Sequence, residues 1–179
     1  RVTYHVDCNW KVFVDNYLDG GYHVAHVHPG LTGQLDISSY SSTLGDRWSM
    51  QSCPAASGPV SDPSADFAQR VGQQADYAWI HPNFMVNRYG PWMDTNAVIP
   101  LSAESCLVVF DYYHEGSPES GFLEQSLVAS DQVQQEDIEI CHRVQAGLNS
   151  GIYQQGVYAP GFEAPMLHFH RLLHADFRV

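Results

Sequence analysis

Apolar and polar positions alternate in several separate stretches of this chain, and a helical period is sustained in only one long stretch. Strict alternation places successive side chains on opposite faces of a strand, whereas apolar spacings of three and four mark one face of a helix. Cys106 to Tyr113 (CLVVFDYY) is the strongest strand, dense in β-branched and aromatic residues. Tyr77 to Ile80, Phe84 to Tyr89 and Ala97 to Ile99 predict three more, with a turn around Gly90-Pro91. Residues 35 to 50 alternate as strands separated by a turn near Gly45-Asp46, and residues 3 to 14 carry a mixed apolar run that enters a helix near Asp15. Residues 51 to 74, rich in Ser, Pro, Ala, Gly and Gln, read as a long loop.

The helical period runs from Ser130, a plausible N-cap, to Leu148. Val133, Ile140, Cys141, Val144 and Leu148 form its apolar stripe, with Asp137 in the middle and Glu136, Ile138 and Glu139 directed elsewhere. A carboxylate on a buried face is costly unless a cation or hydrogen bonds compensate it. A capped or salt-bridged aspartate is the ordinary explanation; a bound metal is the sharper one. Beyond Gly151 the chain is loop with Pro160 and Pro165, closing on an apolar run from Met166 to Leu173 whose His168-Phe169-His170 reads as a strand. These two histidines are read as structural, since no third ligand accompanies them. Strands first and one long helix late predict an α+β fold, the helix packed on an antiparallel sheet.

Composition narrows the class. With 179 residues, 44% of them hydrophobic and 16% charged, the chain can bury one substantial core, and residues 1–179 read as one domain without internal repeats. A formal charge of −12 argues against nucleic acid and anionic membrane surfaces, and suits a neutral or cationic small ligand. There is no bilayer-length apolar run and no signal-peptide pattern. Cys8, Cys53, Cys106 and Cys141 are scattered, which fits reduced thiols in a cytoplasmic compartment, or the plastid stroma in a plant.

The chemistry-bearing residues lie in two segments. Asn16, Asp19 and His23 are spaced to share one helical face, and Asp19 is placed to accept from the His23 ring and fix its tautomer. His26 and His28 are rival second imidazoles, the latter requiring the backbone to turn before Pro29-Gly30. Two imidazoles and Asp137 would form a 2-His-1-carboxylate site with open positions, the set suited to ferrous iron. A zinc hydrolase using His23, His26 or His28 with Asp137 is a rival. So is a non-enzymatic helix-grip ligand carrier, which would leave Asp137 without a partner.

The run Cys8-Asn9-Trp10-Lys11-Val12-Phe13-Val14-Asp15-Asn16-Tyr17-Leu18-Asp19-Gly20-Gly21-Tyr22-His23 resembles the catalytic domain of Rieske-type non-haem iron oxygenase (ring-hydroxylating oxygenase) α subunits. Residues 83–96, 108–112, 136–138, 144–148 and 168–174 look like its choline monooxygenase branch. The resemblance implies a helix-grip-like fold: a curved antiparallel sheet covered by a long C-terminal helix, plus an N-terminal iron-ligand helix. It implies His23, His28 and Asp137 as the iron ligands, choosing His28 over His26, with Asn16 next to the metal. It implies hydroxylation of a small organic substrate at mononuclear Fe(II) with O2, with choline-like quaternary ammonium a candidate substrate and an aromatic-ring dioxygenase the alternative. Electrons would come from a Rieske [2Fe–2S] cluster fed by a ferredoxin or reductase, in a homo-oligomer, commonly a trimer.

Two departures stand out. The acidic residue usual three positions before the first histidine is Gly20 here, so Asp19 is the candidate bridge to a neighbouring subunit's cluster. No Cys-x-His and Cys-x-x-His pair is present, which places the Rieske domain upstream of Arg1 and predicts inactivity without it. Tyr17, Val24, Val133, Trp79, Phe84 and Tyr89 are the expected pocket residues, the rings suited to a quaternary ammonium. Plain sheet core explains those rings equally well.

Overall fold

The computed structural model describes residues 1–28, 31, 35–56, 72–117 and 121–178. Seven strands form one antiparallel sheet: β1 (Val2–Val6), β2 (Ser41–Leu44), β3 (Trp48–Pro54), β4 (Gln74–Ile80), β5 (Phe84–Tyr89), β6 (Trp92–Pro100) and β7 (Cys106–His114). Their order is β1-β7-β6-β5-β4-β3-β2, so β2 to β7 run as a meander and the first strand closes onto the last. Among the described residues the α-helices with both ends defined are α1 (Trp10–Tyr17), α2 (Val24–Val27), α3 (Phe122–Asn149) and α4 (Ala164–Asp176). The expected α+β class with a long late helix is therefore what the chain forms.

Period-two alternation decides what lies beneath the helices. Residues directly opposite in an antiparallel pair share a face. Gln51, Tyr77, Asn87, Asp94 and Tyr112 accordingly make one continuous row across five strands. One row along lie Ser49, Trp79, Met85, Asn96 and Phe110. This face is mostly apolar toward Val98 and Val108 and polar at its centre, where Asn87, Asp94 and Asn96 are all buried.

Several elements differ from the sequence expectation, each for a local reason. The residue 3–14 run divides into β1 and α1. The helix opens at Trp10, where the Asn9 side chain accepts from Lys11 N, and it buries Val12, Phe13 and Val14. The long helix starts eight residues earlier than Ser130, after Gly121 in a left-handed conformation. Its buried seam is Ser126, Ser130, Gln134, Ile138, Cys141 and Gln145, while Val144 and Leu148 are exposed. That seam is rotated roughly a quarter-turn from the apolar stripe. Polar side chains are tolerated inside because they find partners: Ser130 Oγ bonds the Tyr112 hydroxyl at 3.1 Å and Gln145 Oε1 accepts from Asn9 N at 2.8 Å. Asp137 thus lies at the edge of the seam rather than in its middle.

The Met166–Leu173 run is part of α4, not a strand, so His168 and His170 do not share a face. Phe169 is the residue turned fully inward, edge-on to Trp79 at 5.4 Å between centroids. His170 Nε2 lies 2.7 Å from Asp15 Oδ1 and ties α4 to α1. Cys8, Cys106 and Cys141, distant in sequence, converge in the main core as free thiols. Of the expected 51–74 loop, residues 51–54 belong to β3, residue 74 opens β4, and 57–71 lie outside the described residues.

Trp79→Ala is expected to cost about 3–5 kcal/mol of unfolding free energy, measured by urea denaturation, because it empties the junction between sheet and α4. The Asp15 hydrogen bond raises the His170 pKa above its usual 6.5 against the opposing effect of burial, with further attraction from Asp15 and Glu163. A raised histidine pKa stabilises the fold fully below the unfolded-state value and ceases to do so as pH rises through the folded-state value. The melting-temperature difference between wild type and His170→Gln should therefore be largest below about pH 6.5 and shrink on the alkaline side.

Candidate metal centre and cavity

Helix α1 ends at Tyr17, and the chain reverses through Gly20 and Gly21, both at positive φ (73° and 76°). A side chain at Gly20 would run into the Phe162 carbonyl, 2.1 Å from an ideal Cβ, and one at Gly21 would strike the Tyr40 ring. The acid therefore sits at Asp19. Its Oδ1 accepts from Gly21 N at 2.9 Å, and its Oδ2 accepts from His23 N at 2.7 Å and lies 2.8 Å from His23 Nδ1. The turn itself holds the carboxylate that orients the first imidazole.

Helix α2 is a single turn, with His23 immediately before it and His28 immediately after. This turn brings two rings five residues apart into one place, edge-on with centroids 5.1 Å apart. Both aim Nε2 at one oxygen, Asp137 Oδ1, at 3.5 Å for His23 and 3.2 Å for His28. Asn16 Nδ2 donates to that same oxygen at 2.7 Å. Ligand atoms of His23, His28 and Asp137 all lie within 4.8 Å of one another. His26 is exposed and packs edge-on against Tyr22, outside this group.

Glu136, which the sequence reading assigned to solvent, places Oε2 2.7 Å from His28 Nδ1, and its Oε1 accepts from Gln132 at 2.9 Å. Each imidazole thus has Nδ1 against a carboxylate and Nε2 turned to the common centre, the arrangement that fixes a ligand's tautomer and raises its basicity. Burial disfavours charge on His23, yet its bonds to Asp137 and Asp19 prevail and hold its pKa at about 10. Burial likewise opposes ionisation of Asp137, but the two imidazoles outweigh it and bring the carboxyl to about 2. Three carboxylates around two imidazoles make a donor set that fits a dication.

The triad opens onto a cavity of about 140 Å³. Tyr17, Val24, Val133 and Tyr89 line it as expected from sequence position. Trp79 and Phe84 do not. Trp79 is fully buried against α4, and Phe84 lies one residue out of phase, on the opposite face of β5, and is 38% exposed. The rings that take their place are Tyr40, Tyr77, Phe13 and Phe110. Tyr17, Tyr77 and Tyr89 form a contiguous set with centroid separations of 6.4 and 6.3 Å. Burial pushes the Tyr17 hydroxyl well above its ordinary pKa, reinforced by the Asp94 charge, and burial does the same to Tyr40.

Polar groups on the cavity wall are few and placed by register. Asn87 and Asn96 come from β5 and β6, and Gln134 from α3. Gln134 is buried, and its Nε2 has no hydrogen-bond partner among the described residues. An orphaned buried amide costs about 1–3 kcal/mol, which leaves this donor on the cavity wall available to a further acceptor. The i, i+4 series Ser126-Ser130-Gln134 and the alternation Asn87…Asp94-x-Asn96 were the available sequence signals for these residues.

Residues 1–175 match the family of ring-hydroxylating α subunits, catalytic domain. A chloroplastic choline monooxygenase of Arabidopsis thaliana is 50% identical over all of this chain and 42% of its own length. The carnitine monooxygenase oxygenase subunit of Escherichia coli K12 is 30% identical over 99% of this chain and 49% of its own length. A crystal structure of a quaternary ammonium Rieske monooxygenase with an inhibitor superposes with a TM-score of 0.80 at 25% identity, covering 97% of this chain and 48% of that one. The chain thus spans about two-fifths to a half of the relatives it matches. It belongs to the catalytic-domain family of ring-hydroxylating oxygenase α subunits.

Proposed function

We propose that this chain is the catalytic part of an oxygenase that hydroxylates a small quaternary ammonium compound of the choline type. The observation that carries the reading is the convergence of His23 Nε2, His28 Nε2 and one Asp137 oxygen. These residues would hold Fe(II), which when bound supplies oxygen activation at its open positions. The chain's own tasks follow from position. Asp19 and Glu136 hold the two rings by Nδ1, and Asn16 holds Asp137. The tyrosines exclude water and offer π faces to an ammonium group. Gln134 Nε2 is suited to donate to a substrate oxygen and fix which end faces the triad.

Electrons would come from a Rieske [2Fe–2S] cluster, supplied by a ferredoxin or reductase and reaching the site in a homo-oligomer. Asp19, adjacent to His23, is the residue through which a path from a neighbouring subunit would enter. The names of the plant relatives support a plastid stroma setting. Among the described residues no helix is long and apolar enough to cross a membrane. A ligand carrier gives no reason for the triad, and a zinc site built on His26 is disfavoured by that residue's outward position.

Protein purified without oxygen should contain one mononuclear iron per catalytic domain, and Asp137→Ala should remain folded with less than about a tenth of that iron. Stoichiometric iron in the variant, or zinc in the wild type, contradicts the proposal. Glu136→Gln should weaken iron binding by about 10–100-fold, while Glu139→Gln, an exposed residue paired with Arg143, should leave it unchanged.

A further inference from the structure

A buried carboxylate stands directly behind the cavity wall on the sheet side. Asp94 is 1% exposed and opposes Asn87 in the β5–β6 register. Its Oδ1 accepts from Asn87 Nδ2 and Asn96 Nδ2, each at 2.8 Å, and its Oδ2 accepts from the Tyr89 hydroxyl. Asn87 Oδ1 in turn accepts from the Tyr17 hydroxyl at 2.7 Å. All four neighbours in this chain of bonds line the cavity, whereas Asp94 itself does not. One carboxylate therefore sets the orientation of two of the three contiguous tyrosines and of the two asparagines on the sheet side of the wall.

We infer that Asp94 is a positioning residue that makes this wall selective for a cationic ligand head, through its charge as well as through the groups it holds. Three hydrogen-bond donors favour the ionised form of Asp94, and that charge lies behind a layer of rings and amides in a water-poor region, where electrostatic attraction is weakly screened. Hydrogen bonds to the carboxylate orient the hydroxyl of Tyr89 and, through Asn87, that of Tyr17. The π faces of those rings remain available to an ammonium group. A dication at the triad is already offset by Asp137, Asp19 and Glu136, and Asp94 adds attraction for an ammonium from the opposite, sheet side. An uncharged ligand of the same shape gains the apolar contacts but not this attraction. The inference rests on the quaternary-ammonium reading of the cavity and names what enforces it.

The test compares choline with its uncharged carbon isostere, 3,3-dimethyl-1-butanol, by titration calorimetry on the iron-loaded full chain. Asp94→Asn is nearly isosteric. Its amide oxygen can still accept from Asn87 and Asn96, and its NH2 can donate to the Tyr89 oxygen, so the frame survives while the charge is lost. Wild type should prefer choline. In Asp94→Asn, choline affinity should fall by about tenfold or more, with the isostere changed by less than about threefold. KM for choline should rise with kcat nearly unchanged. Should Asp94→Asn fail to fold, Asp94→Ser, which leaves room for a water among the same partners, carries the same comparison. Equal loss for both ligands would show Asp94 to be framework only and overturn the inference, as would an undiminished choline preference. If wild type itself does not distinguish the two ligands, the quaternary-ammonium reading fails and takes the inference with it.

Discussion

One carboxylate oxygen organises the site. Asp137 Oδ1 meets His23, His28 and Asn16, groups contributed by an opening segment 109 to 121 residues away in the sequence. For that meeting to occur, α1 must lie against α3, and the turn after α1 must be tight enough to return His23 to the same place. The double glycine at 20–21 meets the second condition, since both positions have positive φ, with the Phe162 backbone against Gly20 and the Tyr40 ring against Gly21. Burial of Val12, Phe13 and Val14 meets the first. The three donors are thus gathered where two helices and a turn are already fixed by packing.

The sheet is the other half of the design. Its register gathers Asn87, Asp94 and Asn96 behind the cavity and faces it with tyrosines from separate elements, Tyr17 on α1, Tyr77 on β4 and Tyr89 on β5. The helical side supplies a metal-binding donor set; the sheet side supplies rings over a buried charge. A small cationic molecule with an oxygen at one end complements both. On the proposed function, this division would let one cavity bind the substrate while leaving open positions on the metal.

Much of this was legible in the residues. Strand alternation located β4 to β7 within a few residues, and the resemblance around His23 selected the three donors that the fold brings together. The errors were of phase. In α3 the apolar residues suggested one seam, but Ser126, Ser130, Gln134 and Gln145 are among those turned inward: Ser130 bonds Tyr112, Gln145 accepts from Asn9, and Gln134 lines the cavity. Trp79 and Phe84 looked like cavity rings because aromatic residues in strands carry no label for depth or face. Trp79 lies on the cavity-side face but beneath α4, a helix the sequence pattern presented as a strand. Glu136 seemed a solvent residue until the turn at α2 brought His28 against it. Contacts of that kind depend on tertiary geometry and leave no periodic trace.

Anomalous diffraction at the iron edge, from crystals of the full chain loaded with Fe(II) under anaerobic conditions, decides whether the triad is the metal site. A single strong peak is expected within each catalytic domain, at bonding distance from His23 Nε2, His28 Nε2 and the Asp137 carboxylate. A domain without that peak, or with iron bound by other residues, would contradict that assignment.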